Sequence, residues 1–379
     1  MLHTPLGRSQ LLARPGDWRL WLLNAEAACV WDWHRAGLDA EGLAERLSRQ
    51  VGLTPANARE QIDTLLRDWR HSGLLDPAPP LDPEEADWGL PPLSDPLSPW
   101  PADILTLGIG DIRLGLWIEA EPLRQALWPL IAPLHANTDL TAGPLLSLQG
   151  SAENWALQWN HEVLETGRGH DAAVLSILRE LTERACRAAE RLLVVHGAGL
   201  VGPDGAGVLL IAPGGSGKTT LAAALNALGL PLLHDDVVPV DLGGRLLGLG
   251  LPITLKAGSW PVLQALRPDL SDTPIRQRLG QPVRLLPPRG QPVMRPISLG
   301  VLVFPRYQPG AHAHVERLTP EAALQGLIEA EAVIRLLTQD KLERLARWVE
   351  SAPAWSLSYP DLASGLAGMR RILGQPTGA

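Results

Sequence analysis

Apolar and polar residues in the first 76 positions follow the spacing of strands and then the spacing of helices. Ser9–Ala13 and Trp18–Leu23 are short apolar runs on either side of turn residues 14–17, so they predict a hairpin. Three helices are predicted after it, each begun by a residue whose side chain can cap a helix: Asn24, Asp39 and Thr54. This order predicts a winged helix-turn-helix domain over residues 1–76.

Residues 77–101 have a different composition, with nine prolines and scattered acids. Such a segment cannot bury a core and is typical of a stiff, extended linker. It predicts a domain boundary.

From residue 102 to residue 379, short apolar runs alternate with amphipathic segments, which predicts an α/β domain. The predicted strands are Ile104–Ile109, Ile112–Ile118, Leu145–Leu148, Ala156–Trp159, Leu192–His196, Val208–Ala212 and Leu299–Phe304. The predicted helices are Ala172–Glu190, Pro320–Leu327, Asp340–Glu350 and Leu362–Leu373.

Composition narrows the class of protein. The chain is 45% hydrophobic and 20% charged with a net charge of −8, which is ordinary for a globular protein and unsuited to binding nucleic acid. Its two cysteines, Cys29 and Cys186, are far apart and fit a reducing cytoplasm. The sequence has neither a signal-peptide pattern at its start nor an apolar stretch of about 20 residues. We therefore expect a cytoplasmic protein that binds neither nucleic acid nor membranes.

A glycine-rich loop lies between a predicted strand and a helix-like run, Leu221–Leu228. Glycines let backbone amides turn towards a phosphate, and the following helix directs its positive end at the same anion. Lys218 can reach the β- and γ-phosphates, and the Thr219 hydroxyl can bind Mg²⁺. A glycine-rich turn with a chance lysine is the alternative. The loop predicts an ATP site formed by Gly214, Gly215, Ser216, Gly217, Lys218, Thr219 and Thr220.

Two adjacent acids follow the next apolar run. Leu230–Leu233 leads into His234, Asp235 and Asp236, so that Asp235 lies 17 residues after Lys218. Adjacent carboxylates repel each other, and the pair becomes reasonable when a metal ion neutralises one acid and the other accepts a proton. An ordinary loop with two solvated acids is the alternative.

Two further residues are candidates because of their positions. His196 ends the predicted strand before the loop strand, although a structural role is common for such a histidine. Arginine supplies nearly all the positive charge, and the chain has only three lysines, at positions 218, 256 and 341. In this background a lysine suggests a site that needs a compact ammonium, so Lys256 is a candidate ligand for phosphate or substrate, with chance as the alternative.

Taken together, the His196 strand, the loop around Lys218 and the pair Asp235 and Asp236 resemble the HPr kinase/phosphorylase family, most closely its HPr-kinase-related branch. Two later segments resemble further motifs of that branch: Thr254–Trp260 and Phe304–Tyr307. The resemblance covers about residues 103–374. It implies a phosphoenolpyruvate-carboxykinase-like P-loop kinase domain with a mixed sheet, and the parent family is oligomeric, which makes a homo-oligomer an expectation here.

The same resemblance implies roles for the site residues. Asp235 would take the proton from the acceptor hydroxyl, and Asp236 would hold Mg²⁺ with Thr219. His196 would orient the base or the acceptor. Which aspartate plays which part is left open. Positive residues of the later motifs would bind phosphate or the acceptor: Lys256 and Arg306.

Residues 1–76 resemble PqqD-like domains, which bind the leader peptides of ribosomally made precursors. The segments that carry this resemblance are Trp21–Asn24, Val30–Trp31, Leu43–Ala44 and Leu65–Leu75. In that family an extended peptide adds to an exposed strand edge and packs on the third helix. A DNA-reading winged helix is the alternative, but nine arginines and ten acids give this segment no basic surface.

The combined expectation is an ATP- and Mg²⁺-dependent kinase that phosphorylates a hydroxyl of a precursor peptide, by analogy a serine hydroxyl. The leader would bind residues 1–76, and the linker would let the core of the peptide reach the kinase site. Two alternatives remain: a kinase of a sugar or other small molecule, and a nucleotide-responsive regulator with little turnover.

Overall fold

The computed structural model describes residues 1–15, 19–76, 103–136, 142–187, 190–335 and 337–374. The predicted linker, residues 77–101, lies outside the described residues. The chain divides into two compact units. The first contains Met1–Ala86, Thr319–Glu321 and Arg335–Glu350, and the second contains Asp87–Leu318, Ala322–Ile334 and Ser351–Ala379.

The first unit begins with a three-stranded antiparallel sheet: β1 (Leu2–Leu6), β2 (Ser9–Ala13) and β3 (Leu20–Leu23). The predicted hairpin is present as β2 and β3, although Trp18 lies outside the described residues. Strand β1 was not predicted. It pairs with β2 along its whole length, with Leu2 opposite Ala13 and Leu6 opposite Ser9.

Three helices follow, as predicted: α1 (Ala25–Arg35), α2 (Ala40–Val51) and α3 (Pro55–His71). All three predicted helix caps are confirmed. Asn24 Oδ1 accepts a hydrogen bond from the Ala27 amide at 2.8 Å, and Asp39 Oδ1 accepts one from Gly42 at 2.9 Å. Thr54 caps α3 in the same way. The assignment to the winged helix-turn-helix class stays a prediction.

Apolar faces of the sheet and the helices meet in one core. Leu12 from the sheet, Leu43 from α2 and Ile62 from α3 are fully buried there. The rings of Trp31 and Trp69 pack edge to face at 5.4 Å in the same cluster. The core of the first unit therefore forms from apolar residues on one face of each helix and of the sheet.

The second unit opens with a five-stranded sheet: β4 (Leu105–Ile109), β5 (Ile112–Ile118), β6 (Leu145–Gly150), β7 (Trp155–Trp159) and β8 (Glu162–Gly167). Two helices pack on it: α4 (Glu121–Ile131) and α5 (His170–Arg187). Four of these strands and α5 were predicted, whereas β8 and α4 were not.

The remaining strands are β9 (Arg191–Val201), β10 (Gly207–Ile211), β11 (Leu232–His234), β12 (Val237–Asp241), β13 (Arg245–Leu246), β14 (Ile253–Lys256), β15 (Ile275–Arg278), β16 (Gln281–Leu286), β17 (Ile297–Tyr307), β18 (His314–Leu318) and β19 (Ala354–Tyr359). The remaining helices are α6 (Lys218–Ala227), α7 (Trp260–Leu263), α8 (Pro320–Glu329), α9 (Gln339–Glu350) and α10 (Leu362–Ile372).

Eight of these strands form one mixed sheet in the order β10-β9-β12-β13-β17-β19-β18, with β11 beside β9. Strand β17 is parallel to both β10 and β19. Strand β9 runs antiparallel to β10 and to β12. The expected mixed sheet of an α/β domain is therefore confirmed. A smaller antiparallel sheet, β14-β16-β15, was not predicted.

Helices α6 and α10 cover one face of the mixed sheet. Leu221 and Leu225 of α6 share a buried cluster with Val303 of β17 and Leu357 of β19. None of the helices in the described part of the chain has the length and apolar character that crossing a bilayer requires.

Helix α9 belongs to the first unit although it lies far along the chain. The Gln339 side chain bonds both backbone groups of His3, accepting from its amide at 3.3 Å and donating to its carbonyl at 2.8 Å. Glu350, at the other end of α9, accepts a hydrogen bond from the Gly7 amide at 2.8 Å. Side chains of α9 thus bond the backbone of His3 in β1 and of Gly7 just after the strand.

Replacing Gln339 by alanine should therefore destabilise the first unit. The two lost hydrogen bonds are each worth about 0.5–1.5 kcal/mol, which corresponds to a few degrees in Tm. Calorimetry of the full chain would measure this change. Gln325→Ala is the matched control, because the Gln325 amide donates to Glu329 within its own helix. An equal change in both variants would contradict the role of Gln339.

Candidate active site

The glycine-rich loop, residues 212–217, connects β10 to α6. Gly215 and Gly217 have φ angles of +82° and +87°, which glycine adopts without strain. A Cβ on Gly214 or Gly215 would meet no atom within 4 Å, so the space beside these residues is open. A Cβ on Gly217 would lie 2.4 Å from the Tyr359 hydroxyl. The loop is therefore open on one side and tightly packed at its end.

Among the hydrogen bonds of the described residues, the amides of Gly214, Gly215 and Gly217 have no acceptor. The Ser216 hydroxyl oxygen is buried and also lacks a partner. The N-terminus of α6 adds its own unbonded amides and the positive end of its dipole. Together these donors fit a phosphate group.

Lys218 is buried, with 6% of its surface exposed. Its ammonium donates to the backbone carbonyls of Ala212 and Pro213, so the side chain folds back along the loop. Burial lowers the pKa of Lys218, while the charges of Asp235 and Asp236 oppose this shift. The ammonium of Lys218 therefore lies within electrostatic reach of both acids.

Asp235 follows β11 and is almost fully buried, with 3% of its surface exposed. Its Oδ1 atom has no hydrogen-bond partner among the described residues. Burial raises the pKa of Asp235 to about 7, and the neighbouring charge of Asp236 adds to the rise. The Thr219 hydroxyl, the Lys218 ammonium and the Thr254 amide act in the opposite direction. A buried carboxyl with a free oxygen beside Thr219 fits a cation ligand.

Asp236 has a different environment although it is the next residue. Its φ angle of +87° is unusual for a residue with a side chain, and its carbonyl accepts a hydrogen bond from the Gly197 amide at 3.0 Å. Its carboxylate is 49% exposed and lies 3.6 Å from His196 Nδ1 and 3.8 Å from an Arg278 nitrogen. Asp236 therefore faces solvent between a histidine and an arginine.

His196 lies in the middle of β9 and not at the end of a strand, which corrects the sequence prediction. Strand β9 continues to Val201 because it pairs with β10 on one side and with β12 on the other. Burial lowers the pKa of His196, and the Lys218 charge lowers it further, against the effect of Asp236. The imidazole is thus mainly neutral near pH 7.

The remaining candidates are Thr220, Lys256 and Arg306. The Thr220 hydroxyl is 2.7 Å from the hydroxyl of Ser259. Lys256 is exposed at the end of β14, and its charge contributes to the lowered pKa of Lys218. Arg306 is exposed on β17, one residue before Tyr307, and its role stays a prediction.

Two residues at the site, Arg278 and Tyr359, were missed from the sequence, and Tyr307 was named only as the last residue of the segment Phe304–Tyr307. Arg278 comes from the unpredicted β15, and the Tyr307 amide donates to the Ser216 carbonyl at 3.0 Å. Tyr359 ends the unpredicted β19 beside Gly217. One signal was available, since the whole chain has only two tyrosines, and these are Tyr307 and Tyr359.

No protein-family model and no curated protein matches the chain. Among solved structures, the chain is similar to the Hpr(Ser) kinase/phosphatase from Coxiella burnetii, with a TM-score of 0.20 and 14% sequence identity. That match covers 47% of this chain and 96% of the other. A likeness of this size carries no argument about activity.

The raised pKa of Asp235 predicts a pH-dependent loss of stability. Between the ordinary carboxyl value of 3.8 and about 7, the folded chain holds a proton on Asp235 that the unfolded chain releases. Stability therefore falls as pH rises through this window, by about 1.4 kcal/mol per pH unit at most. Asp235→Asn stays neutral, so it should raise Tm more at pH 8 than at pH 5.

Calorimetry at the two pH values measures the difference. Asp272→Asn is the matched control, because Asp272 is exposed on the same unit. If Asp235→Asn changed Tm equally at pH 5 and pH 8, the carboxyl would not be titrating in this window.

Proposed function

We propose that this chain is an ATP-dependent phosphotransferase, a kinase whose acceptor is a hydroxyl group. The proposal is carried by one observation: two adjacent acids lie within electrostatic reach of a buried lysine in a loop of unbonded amides. Donors for phosphate and carboxylates for a cation and a proton are the parts that phosphoryl transfer needs.

The triphosphate would bind along the loop from Gly214 to Thr219. The free amides and the α6 terminus would bind phosphate oxygens, and Lys218 would exchange its carbonyl partners for the β- and γ-phosphates. Such binding would give each free donor an acceptor.

The contacts favour Thr219 and Asp235 as the protein ligands of Mg²⁺. When bound, the ion would neutralise charge on the β- and γ-phosphates. The resemblance had given this part to Asp236 with Thr219. The interaction of the Thr219 hydroxyl with Asp235, and the unpartnered Oδ1 of Asp235, are the reasons for exchanging the two roles.

Asp236 is then the proton acceptor. Its exposed carboxylate can reach a substrate hydroxyl, and the neighbouring His196 and Arg278 restrict its orientation. The acceptor oxygen attacks the γ-phosphorus and its proton passes to Asp236. The bond from the γ-phosphorus to the β–γ bridging oxygen breaks, and ADP leaves. The positive charge of Arg278 stabilises the charge that spreads over the transferred group.

The acceptor we propose is a serine hydroxyl of a precursor peptide whose leader binds the first unit. A groove of about 560 Å³ runs along α3 and is lined by one apolar residue, Leu65, and by five polar or acidic residues: Asn57, Glu60, Gln61, Thr64 and Asp68. Its acids favour a peptide with basic residues. A short peptide encoded beside the gene is the substrate to test first.

Three substitutions test the chemistry. Lys218→Ala should weaken ATP binding or abolish transfer. Asp236→Asn should keep ATP affinity and lower kcat roughly a hundredfold or more, the scale expected of a general base. Asparagine is the matched choice there because it tolerates a positive φ angle. Asp235→Asn should instead raise the Mg²⁺ concentration needed for half-maximal rate.

Titration calorimetry with ATP and transfer of labelled phosphate measure these effects. Asp272→Asn serves again as the control. Full activity of Lys218→Ala would contradict the assignment of the loop as a nucleotide site. If only Asp236→Asn changed the Mg²⁺ requirement, Asp236 would be the Mg²⁺ ligand and Asp235 the base, as the resemblance implies.

The groove on α3 is tested by reversing its charge. The double substitution Glu60→Arg and Asp68→Arg should raise KM for the full precursor about tenfold and leave the rate with a leaderless core peptide unchanged. The control reverses two exposed acids on α2, Glu41 and Glu45, with the same change in net charge. Efficient phosphorylation of a sugar, with none of the precursor, would show that the acceptor is a small molecule.

A further inference from the structure

Both tyrosines of this chain lie together at the glycine-rich loop. Aromatic residues elsewhere are almost all tryptophan, since the chain has 14 tryptophans, two tyrosines and one phenylalanine. Tyr307 and Tyr359 are paired residues of the parallel strands β17 and β19, with ring centroids 5.9 Å apart. The Tyr307 amide bonds the Ser216 carbonyl, and the Tyr359 hydroxyl lies against Gly217. Two rings are therefore attached directly to the loop.

Strand order places these rings on the opposite flank of the loop from the acids. Strand β10 has β9 on one side and β17 on the other. His196 is on β9, and the acids lie between β11 and β12, both of which pair with β9. The tyrosines end β17 and β19. A nucleotide whose γ-phosphate faced the acids would have its base end directed towards the tyrosine flank.

The two rings differ in accessibility. Tyr307 is 46% exposed although it is large and aromatic, whereas Tyr359 is 3% exposed. Burial raises the pKa of Tyr359 to about 12, so its hydroxyl keeps its proton. Trp260 follows Ser259, whose hydroxyl lies 2.7 Å from that of Thr220 near the start of α6. The Arg284 guanidinium covers the Trp260 ring at 4.7 Å, so this ring is less available than that of Tyr307. Tyr307 is thus an uncovered aromatic surface beside the loop.

We propose that the Tyr307 ring stacks on the nucleobase of the bound nucleotide. Tyr359 is a positioning residue, because it supports both the Tyr307 ring and the loop at Gly217. This inference rests on the proposed function, because it names the base end of the same nucleotide site. Aromatic stacking accepts any base, so the subsite supplies affinity more than it selects between purines.

Binding of ATP and of inorganic tripolyphosphate to the full chain, with Mg²⁺, separates the base from the phosphates. The wild type should bind ATP more tightly than tripolyphosphate. Tyr307→Ala should weaken ATP binding roughly 10- to 100-fold and leave tripolyphosphate binding unchanged. Tyr307→Phe should keep wild-type affinity for both ligands, because stacking needs the ring and not the hydroxyl.

The matched control is Trp128→Ala, which removes an exposed aromatic ring from α4. It should leave both affinities unchanged. Circular dichroism and Tm verify that each variant is folded.

The remaining outcomes overturn the proposal in distinguishable ways. If Tyr307→Ala weakened both ligands equally, the ring would act on the loop and not on the base. If it left ATP binding unchanged, the base would bind elsewhere. In both cases the kinase proposal survives, whereas a wild type that binds neither ligand would remove the nucleotide site and this subsite with it.

Discussion

The site depends on one constraint, which is the burial of an acid, Asp235, and a base, Lys218, beside the glycine-rich loop. Asp235 and Lys218 are both nearly inaccessible to water. Oδ1 of Asp235 has no hydrogen-bond partner among the described residues, and the Lys218 ammonium donates to two backbone carbonyls. Burying ionised groups costs stability unless they are paired, as the raised pKa of Asp235 and the lowered pKa of Lys218 indicate. A polyanion with its cation would supply partners to both groups at once. Binding of such a ligand would therefore lower the cost of burying both groups.

Local sequence signals located the loop, the acids and the helix caps because each depends on residues adjacent in the chain. Strand β10, the glycines and α6 follow one another directly, and so do Asn24 and α1. The boundaries of longer strands could not be found this way. Strand β9 runs past His196 because β10 and β12 pair with it from both sides, and this pairing is a property of the tertiary structure.

Site residues supplied by distant strands were missed for the same reason. Arg278 reaches Asp236 from a small sheet whose strands carry many polar residues and show weak alternation. Tyr359 reaches Gly217 because β19 joins the mixed sheet next to β17, 142 positions after the loop glycine. For Tyr359 the sequence offered one signal, its composition, because the chain has only two tyrosines beside 14 tryptophans. Only the fold reveals that they form a pair.

The interruption between β11 and β12 explains how two adjacent acids acquire different properties. Both strands pair with β9, and the chain passes from one to the other through Asp235 and Asp236. The positive φ angle of Asp236 turns the backbone there, and the hydrogen bond from Gly197 stabilises the turn. As a result one carboxyl is buried beside Thr219 while the next is exposed beside His196. In a continuous strand, neighbouring side chains point to opposite faces of the sheet, so the two acids would lie on different sides of it. The turn keeps both acids on the side of the loop, where one can hold a cation and the other can accept a proton.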